Sequence, residues 1–285
     1  MDRTVIGIIG GSGLYEIDGL QDVREEVIDT PFGAPSDALL RGRIGATELV
    51  FLPRHGRGHR ISPSEINYRA NIWALKRAGC TDVVSLSAVG SMREDIAPGD
   101  VVLPDQFVDR TVGRPRTFFC DGIVAHVAFA DPVSERVSSA LKAASARIGL
   151  HPHVGGAYVC IEGPQFSTRA ESNLYRTWPG VSVIGMTNMP EARLAREAQL
   201  PYATVALVTD YDCWHATHDA VSVEQVIETM KSNVTTAKRL IVALAAEPPS
   251  GSCASQTALR HAVMTSPAAI PADVRARVAL FLDDD

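Results

Sequence analysis

The sequence predicts an α/β fold, a single domain with a central mixed, largely parallel sheet flanked by helices. Three observations lead there. Short β-rich runs alternate with helical patterns along the chain. Several of those runs are near-continuous in apolar residues, as strands covered on both faces are. The chain of 285 residues, 46% hydrophobic and 21% charged, is long enough to bury a full core.

The runs that read as strands are 4–9, 48–52, 82–87, 100–103, 156–161, 181–186 and 202–209. The first predicted helix, 67–78, carries Ile72, Trp73 and Leu75 and stops at Gly79, a residue suited to a helix C-terminus. Helices follow at 132–148 and 169–176. Another at 190–199 opens on Pro190, favoured at a first helical position, with Glu191 near the positive helix end. The clearest helix is 222–247, where Ser222 and Gln225 have capping-box spacing. Val223, Val226, Ile227, Met230, Val234, Leu240, Ile241 and Leu244 form its apolar stripe. Residues 1–247 form the domain; 248–256, rich in Pro, Ser and Gly, reads as a linker to a tail reaching 285. That tail, with a last helix starting at Pro271, is expected to pack on the same domain.

Composition excludes several function classes. Lys+Arg 27 against Asp+Glu 33 leaves a net charge of −6, which argues against a nucleic-acid surface. No apolar run approaches the ~18 residues of a membrane span. The apolar stretch 5–9 is too short for the core of a secretion signal. Five widely spaced cysteines without a C-x-x-C pair suit a reducing cytoplasm and offer no zinc site. The expectation is a cytoplasmic protein acting on something small, without metal.

Chemically capable residues recur just after predicted strands: Gly10-Gly11-Ser12-Gly13, Arg54-His55, Ser87-Ala88, Gly163-Pro164 with Phe166-Ser167, Met186-Thr187, and Asp210 with Asp212. Ligands of open α/β sheets bind outside the carboxyl ends of strands, so parallel strands would gather these loops at one pocket. The glycine run is either a plain turn or a loop whose backbone N–H groups meet an anion. It fails as a dinucleotide fingerprint, because Glu16 stands where the third glycine belongs. Arg54 supplies a cationic fork suited to phosphate oxygens; His55, Ser87 and Thr187 add further donors. His55 and His59 are separated by two glycines and an arginine, which disfavours a helix and a metal pair there. Asp210 and Asp212 are either solvated turn acids or, if the strand continues, two carboxyls on one face able to read a purine edge. Phe166 is either core or a ring on which a flat base stacks.

Together these segments resemble the 5′-methylthioadenosine phosphorylases, trimeric members of the purine nucleoside phosphorylase superfamily. The resemblance rests on the segment from Gly7 to Leu14, Thr30-Pro31-Phe32-Gly33, Arg54-His55-Gly56-Arg57, Asn67-Tyr68, Ile161-Glu162-Gly163-Pro164 and Thr209-Asp210-Tyr211-Asp212-Cys213-Trp214. It runs in order over roughly residues 5 to 245 and leaves out the tail. It implies a nucleoside phosphorylase-like fold, a homotrimer, and phosphorolysis of 5′-methylthioadenosine to adenine and 5-methylthioribose 1-phosphate, a salvage reaction. Inorganic phosphate is then a co-substrate, and no cofactor is needed. By position, Ser12, Arg54, His55, Ser87, Ala88 and Thr187 would hold phosphate. Met186 would lie against the ribose and Phe166 against the purine, while Ser167, Asp210 and Asp212 would read the base. Val223 and Val226 would line the methylthio pocket, and His126 would reach into the neighbouring subunit's site. The eukaryotic pattern has threonine at positions 12 and 87, where this chain has serine.

The chemistry that the resemblance implies calls for a general acid, because a departing purine needs a proton at N7. Asp210 is the candidate, with one proton retained by the Asp210–Asp212 pair through burial and like charge. Relatives that act on 6-oxopurines usually carry Asn at the position of Asp210, so the acid pair favours adenine. A 5′-methylthioinosine or general purine nucleoside phosphorylase is the nearest alternative. A non-catalytic nucleoside-binding module is the alternative from another class.

Overall fold

The structure is a computed structural model that describes residues 4–14, 16–215 and 223–282. Of Ser12 and residues 223–227 it describes the backbone alone. Among the described residues, eleven strands form one branched sheet: β1 Val5–Gly10, β2 Gln21–Glu26, β3 Leu39–Ile44, β4 Thr47–Pro53, β5 Asp82–Ser91 and β6 Val101–Leu103. The rest are β7 Gln106–Arg110, β8 His153–Val154, β9 Ala157–Ile161, β10 Val181–Gly185 and β11 Tyr202–Asp210. The α-helices are α1 Tyr68–Arg77, α2 Glu135–Arg147, α3 Arg169–Arg176, α4 Asn188–Glu197, α5 Val223–Ala246 and α6 Ala272–Val278.

Every apolar run expected to be a strand is one. Strands β2, β3, β7 and β8 were not expected. The residues Gln21–Glu26 are polar and mostly exposed, so this edge strand shows no apolar alternation. Its pairing with β3 supplies the order that its composition does not.

The helix expectations hold with small shifts at the ends. In α1 the Asn67 side chain caps the amide of Ala70 at 3.1 Å, and Gly79 follows at φ +83. In α4 Met189 is non-helical, so the regular turn begins at Pro190. Ser222, the expected cap of α5, lies outside the described residues. Met230 departs from the apolar-stripe reading of α5: it is exposed, whereas Leu240, Ile241 and Leu244 are buried.

The helices cover both faces of the sheet. One apolar layer unites Val5 and Ile9 of β1 with residues of α1 and α4; the other unites Ile6 and Ile8 with residues of α2 and α5. The segment 248–282 belongs to the first layer. Leu259, Ala262, Val274, Val278 and Phe281 are buried in it, and the Phe281 and Phe118 rings lie 4.4 Å apart. Arg136, paired with buried Asp82 at 2.9 Å, also donates to the Pro249 and Gly251 carbonyls. The stretch expected to be a linker is therefore pinned to α2.

The sheet is parallel only in part. Strands β1, β4, β5 and β11 run the same way, whereas β10 meets β5 antiparallel. On the edge of β5 away from β11, β1 pairs with Asp82–Ser85 and β10 with Gly90 and Ser91. Between them that edge of β5 has no partner strand among the described residues. The sheet forks there, and the fork is where the cavity opens.

Candidate active site

A cavity of about 560 Å³ lies in this fork. The unpaired stretch of β5, Leu86 to Val89, forms one wall. The loop after β4 brings Arg54 and His55. The loop after β9 brings Phe166 and Ser167, the end of β10 brings Met186 and Thr187, and the end of β11 brings Asp210 and Asp212. Ser87 and Ala88 also line it, so these predicted site residues are brought together. Parallel strands alone did not gather them: β9 and β10 reach the same cavity from the antiparallel side of the fork. Ser87 and Ala88 also do not follow a strand, since β5 continues to Ser91.

At one end lie Arg54 and a group of hydroxyls. Arg54 is fully buried, and its guanidinium is forked on Glu191 at 2.8 and 3.1 Å. It also donates to Ser85 Oγ at 2.6 Å and to the Leu86 carbonyl at 3.0 Å. These bonds occupy four of five N–H groups and leave one Nη1 hydrogen without an acceptor among the described residues. Glu191, which also accepts from the Tyr202 hydroxyl at 2.8 Å, thus balances the charge that the sequence seemed to offer wholly to an anion. Ser87 Oγ stands 3.2 Å from Thr187 Oγ1. Of the glycine run, Gly11 reaches the cavity wall; the Ser12 side chain lies outside the described residues.

His55 corrects the expectation of a donor. Its Nδ1 donates to the Ile61 carbonyl at 2.8 Å, since a carbonyl oxygen can only accept. Burial, and then the Arg54 cation, push its pKa down to about 4. The ring is neutral at pH 7, and Nε2 is an acceptor. His59, absent from the predicted site, stacks on it at 4.3 Å and also lines the cavity.

At the other end lies the acid pair. Asp212 has φ +53, so the strand does not continue to it as expected. A tight turn brings the two acids together instead. The Asp212 amide donates to Asp210 Oδ1 at 2.7 Å, and Thr209 Oγ1 donates to Asp210 Oδ2 at 2.6 Å. Burial raises the pKa of Asp210 against these two hydrogen bonds. Burial raises that of Asp212 too, with the Asp210 charge adding to it. Ser167 Oγ, buried at this end, has no hydrogen-bond partner among the described residues. Phe166 is 50% exposed and lines the cavity, which removes the core reading. Ile161, Ile184, Met186 and Met230 add apolar surface to the wall.

Besides Ser12, three predicted residues are not described at this cavity. The side chains of Val223 and Val226 lie outside the described residues. His126 lines a separate cavity of about 220 Å³ with Arg116, Phe129, Arg193 and Glu197. Glu197 there accepts from Thr117 Oγ1 and the Phe118 amide, both at 2.8 Å, yet burial pushes its carboxyl up to about 7.

Glu197 and His55 therefore tilt stability in opposite directions. As pH rises from 4.5 to about 7, the unfolded chain ionises at position 197 before the folded one, so stability falls. As pH drops from 6.5 to about 4, the unfolded chain protonates His55 first, so stability again falls. Replacing Glu197 with Gln removes the first slope. The stability of this variant relative to the parent should rise by ~3 kcal/mol between pH 4.5 and 7.5 in urea unfolding. A pH-independent difference would remove Glu197 from this role.

The sequence pattern of the phosphorylase superfamily matches residues 5–246. The chain belongs to the phosphorylase superfamily. Among its superfamily relatives, the S-methyl-5′-thioadenosine phosphorylase of Geobacter sulfurreducens is 57% identical over 282 residues, covering 98% of each chain. That of Bradyrhizobium diazoefficiens is 56% identical over 273 residues, covering 94% of each. A crystal structure of a methylthioadenosine phosphorylase from an antarctic soil metagenomic library superposes with a TM-score of 0.92 at 46% identity. It covers 99% of this chain and 100% of its own. The methylthioadenosine phosphorylase of Schistosoma mansoni, in complex with adenine, gives 0.82 at 37% identity over 98% of both.

Sequence reasoning missed Glu191, Ser85 and Tyr202 behind Arg54, and His59 and Met230 on the wall. Glu191 was legible only as a helix-start acid, and Met230 only as part of an apolar stripe.

Proposed function

We propose that this phosphorylase cleaves 5′-methylthioadenosine with inorganic phosphate, giving adenine and 5-methylthioribose 1-phosphate. One observation carries the reading. One cavity is lined by hydroxyls and a guanidinium, by a buried acid pair and by apolar side chains. This set of groups suits a substrate pair made of an anion, a sugar and a purine.

In this reading Arg54, Ser87, Thr187, the Ala88 region and Ser12 hold phosphate. His55 Nε2 accepts a hydrogen from a phosphate or ribose hydroxyl. The C1′–N9 bond breaks as a phosphate oxygen bonds to C1′. The leaving purine takes a proton at N7 from Asp210, whose raised pKa favours the protonated form needed for donation. Asp212 and Ser167 complete the contacts to the base, Phe166 stacks on it and Met186 lies against the ribose. Val223 and Val226 line the methylthio end, and His126 acts in the site of a neighbouring subunit of a homotrimer. The enzyme works in the cytoplasm. Among the described residues no helix is long and apolar enough to cross a membrane.

A substrate panel tests the reading. With phosphate present, kcat/KM should be highest for 5′-methylthioadenosine, lower for adenosine, and at least ~10²-fold lower for 5′-methylthioinosine and inosine. Preference for the 6-oxo substrates would sink the acid-pair argument. Base release that ignores phosphate would sink phosphorolysis itself.

A further inference from the structure

We propose that Tyr158, which does not line the cavity, is a positioning residue that sets the Ser87 hydroxyl as a donor to phosphate. The proposal rests on the reading of Ser87 as a phosphate ligand.

Tyr158 lies on β9, is fully buried and is absent from the cavity wall. Its phenol oxygen sits 3.0 Å from Ser87 Oγ. A buried phenol hydrogen needs an acceptor. Ser87 Oγ is its hydrogen-bond partner among the described residues, so the phenol donates to it. Burial also holds the phenol pKa well above its usual value, so the hydrogen stays in place at any working pH. One Ser87 lone pair is thereby occupied from behind. The Ser87 hydrogen is left to point towards Thr187 Oγ1 at 3.2 Å, to the Ala88 carbonyl at 3.4 Å, or to an oxygen in the cavity. A donor whose own oxygen accepts a hydrogen bond is polarised and bonds an anion more strongly.

The sequence makes room for this relay at Gly185. A Cβ there would lie 2.0 Å from the phenol oxygen, so another residue would displace the hydroxyl from Ser87. Phe107 holds the Tyr158 ring edge-on at 5.9 Å. The contact between Tyr158 on β9 and Ser87 on β5 thus joins two sides of the fork.

Steady-state kinetics of the full-length enzyme test the relay, with phosphate and 5′-methylthioadenosine varied separately. Tyr158→Phe should raise the phosphate KM by roughly 5–20-fold and leave the nucleoside KM within about twofold. Ser87→Ala should raise the phosphate KM at least as much. Adding Tyr158→Phe to Ser87→Ala should then change it by less than about twofold, because the endpoint of the relay is gone. An unchanged phosphate KM in Tyr158→Phe, equal shifts in both KM values, or independent multiplication of the two effects would each overturn the proposal. If Tyr158→Phe does not fold, an unchanged phosphate KM in Ser87→Ala overturns it alone. Unmodified protein without phosphate-dependent turnover would overturn the functional reading and the relay with it. Turnover with an insensitive phosphate KM overturns the relay only.

Discussion

Asp210→Asn is expected to lower kcat for 5′-methylthioadenosine by at least ~10²-fold, the usual worth of a general acid. The substitution conserves volume and keeps an oxygen that can accept from the Asp212 amide, now 2.7 Å away. What it removes is the carboxyl proton. In the parent enzyme that proton is lost as pH rises through the raised Asp210 pKa, so kcat should fall on the basic side. The variant should lack that limb. Rapid-quench or steady-state rates between pH 5 and 9 would show both effects. A rate within a few-fold of the parent, with the limb intact, would move the acid role elsewhere.

The second large effect is on stability. Arg54 and Glu191 are both almost fully buried, with side-chain exposures of 3% and 1%. Removing one partner of such a pair strands the other's charge, at a cost of ~3–5 kcal/mol. Arg54→Ala should lose that much in urea unfolding at a fixed protein concentration. The double change Arg54→Ala with Glu191→Gln should recover part of it, because no buried charge is then left alone. Equal stability of parent and single variant would show that the ion pair is not what holds this wall. The single variant should also lose saturation by phosphate, since the remaining Nη1 hydrogen goes with the side chain.

These expectations separate what position along the chain reveals from what it hides. Burial on both faces makes β1, β4, β5, β10 and β11 run apolar, so they are legible as strands without partners. Pro190 and Gly79 mark helix ends through local backbone preferences that need no tertiary contact. Polar edge strand β2 carries no such signal, because its order comes from one neighbour. Arg54, His55, Ser87 and Asp210 stood out for their chemistry next to apolar runs. Their roles did not. Arg54 is charge-balanced by a residue 137 positions away. His55 becomes an acceptor through a carbonyl six residues on.

The net charge of −6 argued against nucleic acid and was silent about phosphate. Apolar periodicity, caps and motifs are local in the chain, so the α/β class, the family and the residue types able to handle an anion and a purine are legible along it. Tertiary structure alone decided the fork of the sheet at β5, the pairing of Arg54 with Glu191, the tautomer of His55 and the placing of Tyr158 behind Ser87. The fork, the Arg54–Glu191 pair and the Tyr158–Ser87 contact need groups distant in sequence to meet in the interior. The His55 tautomer needs the turn that brings the Ile61 carbonyl to its ring. No local pattern encodes such meetings.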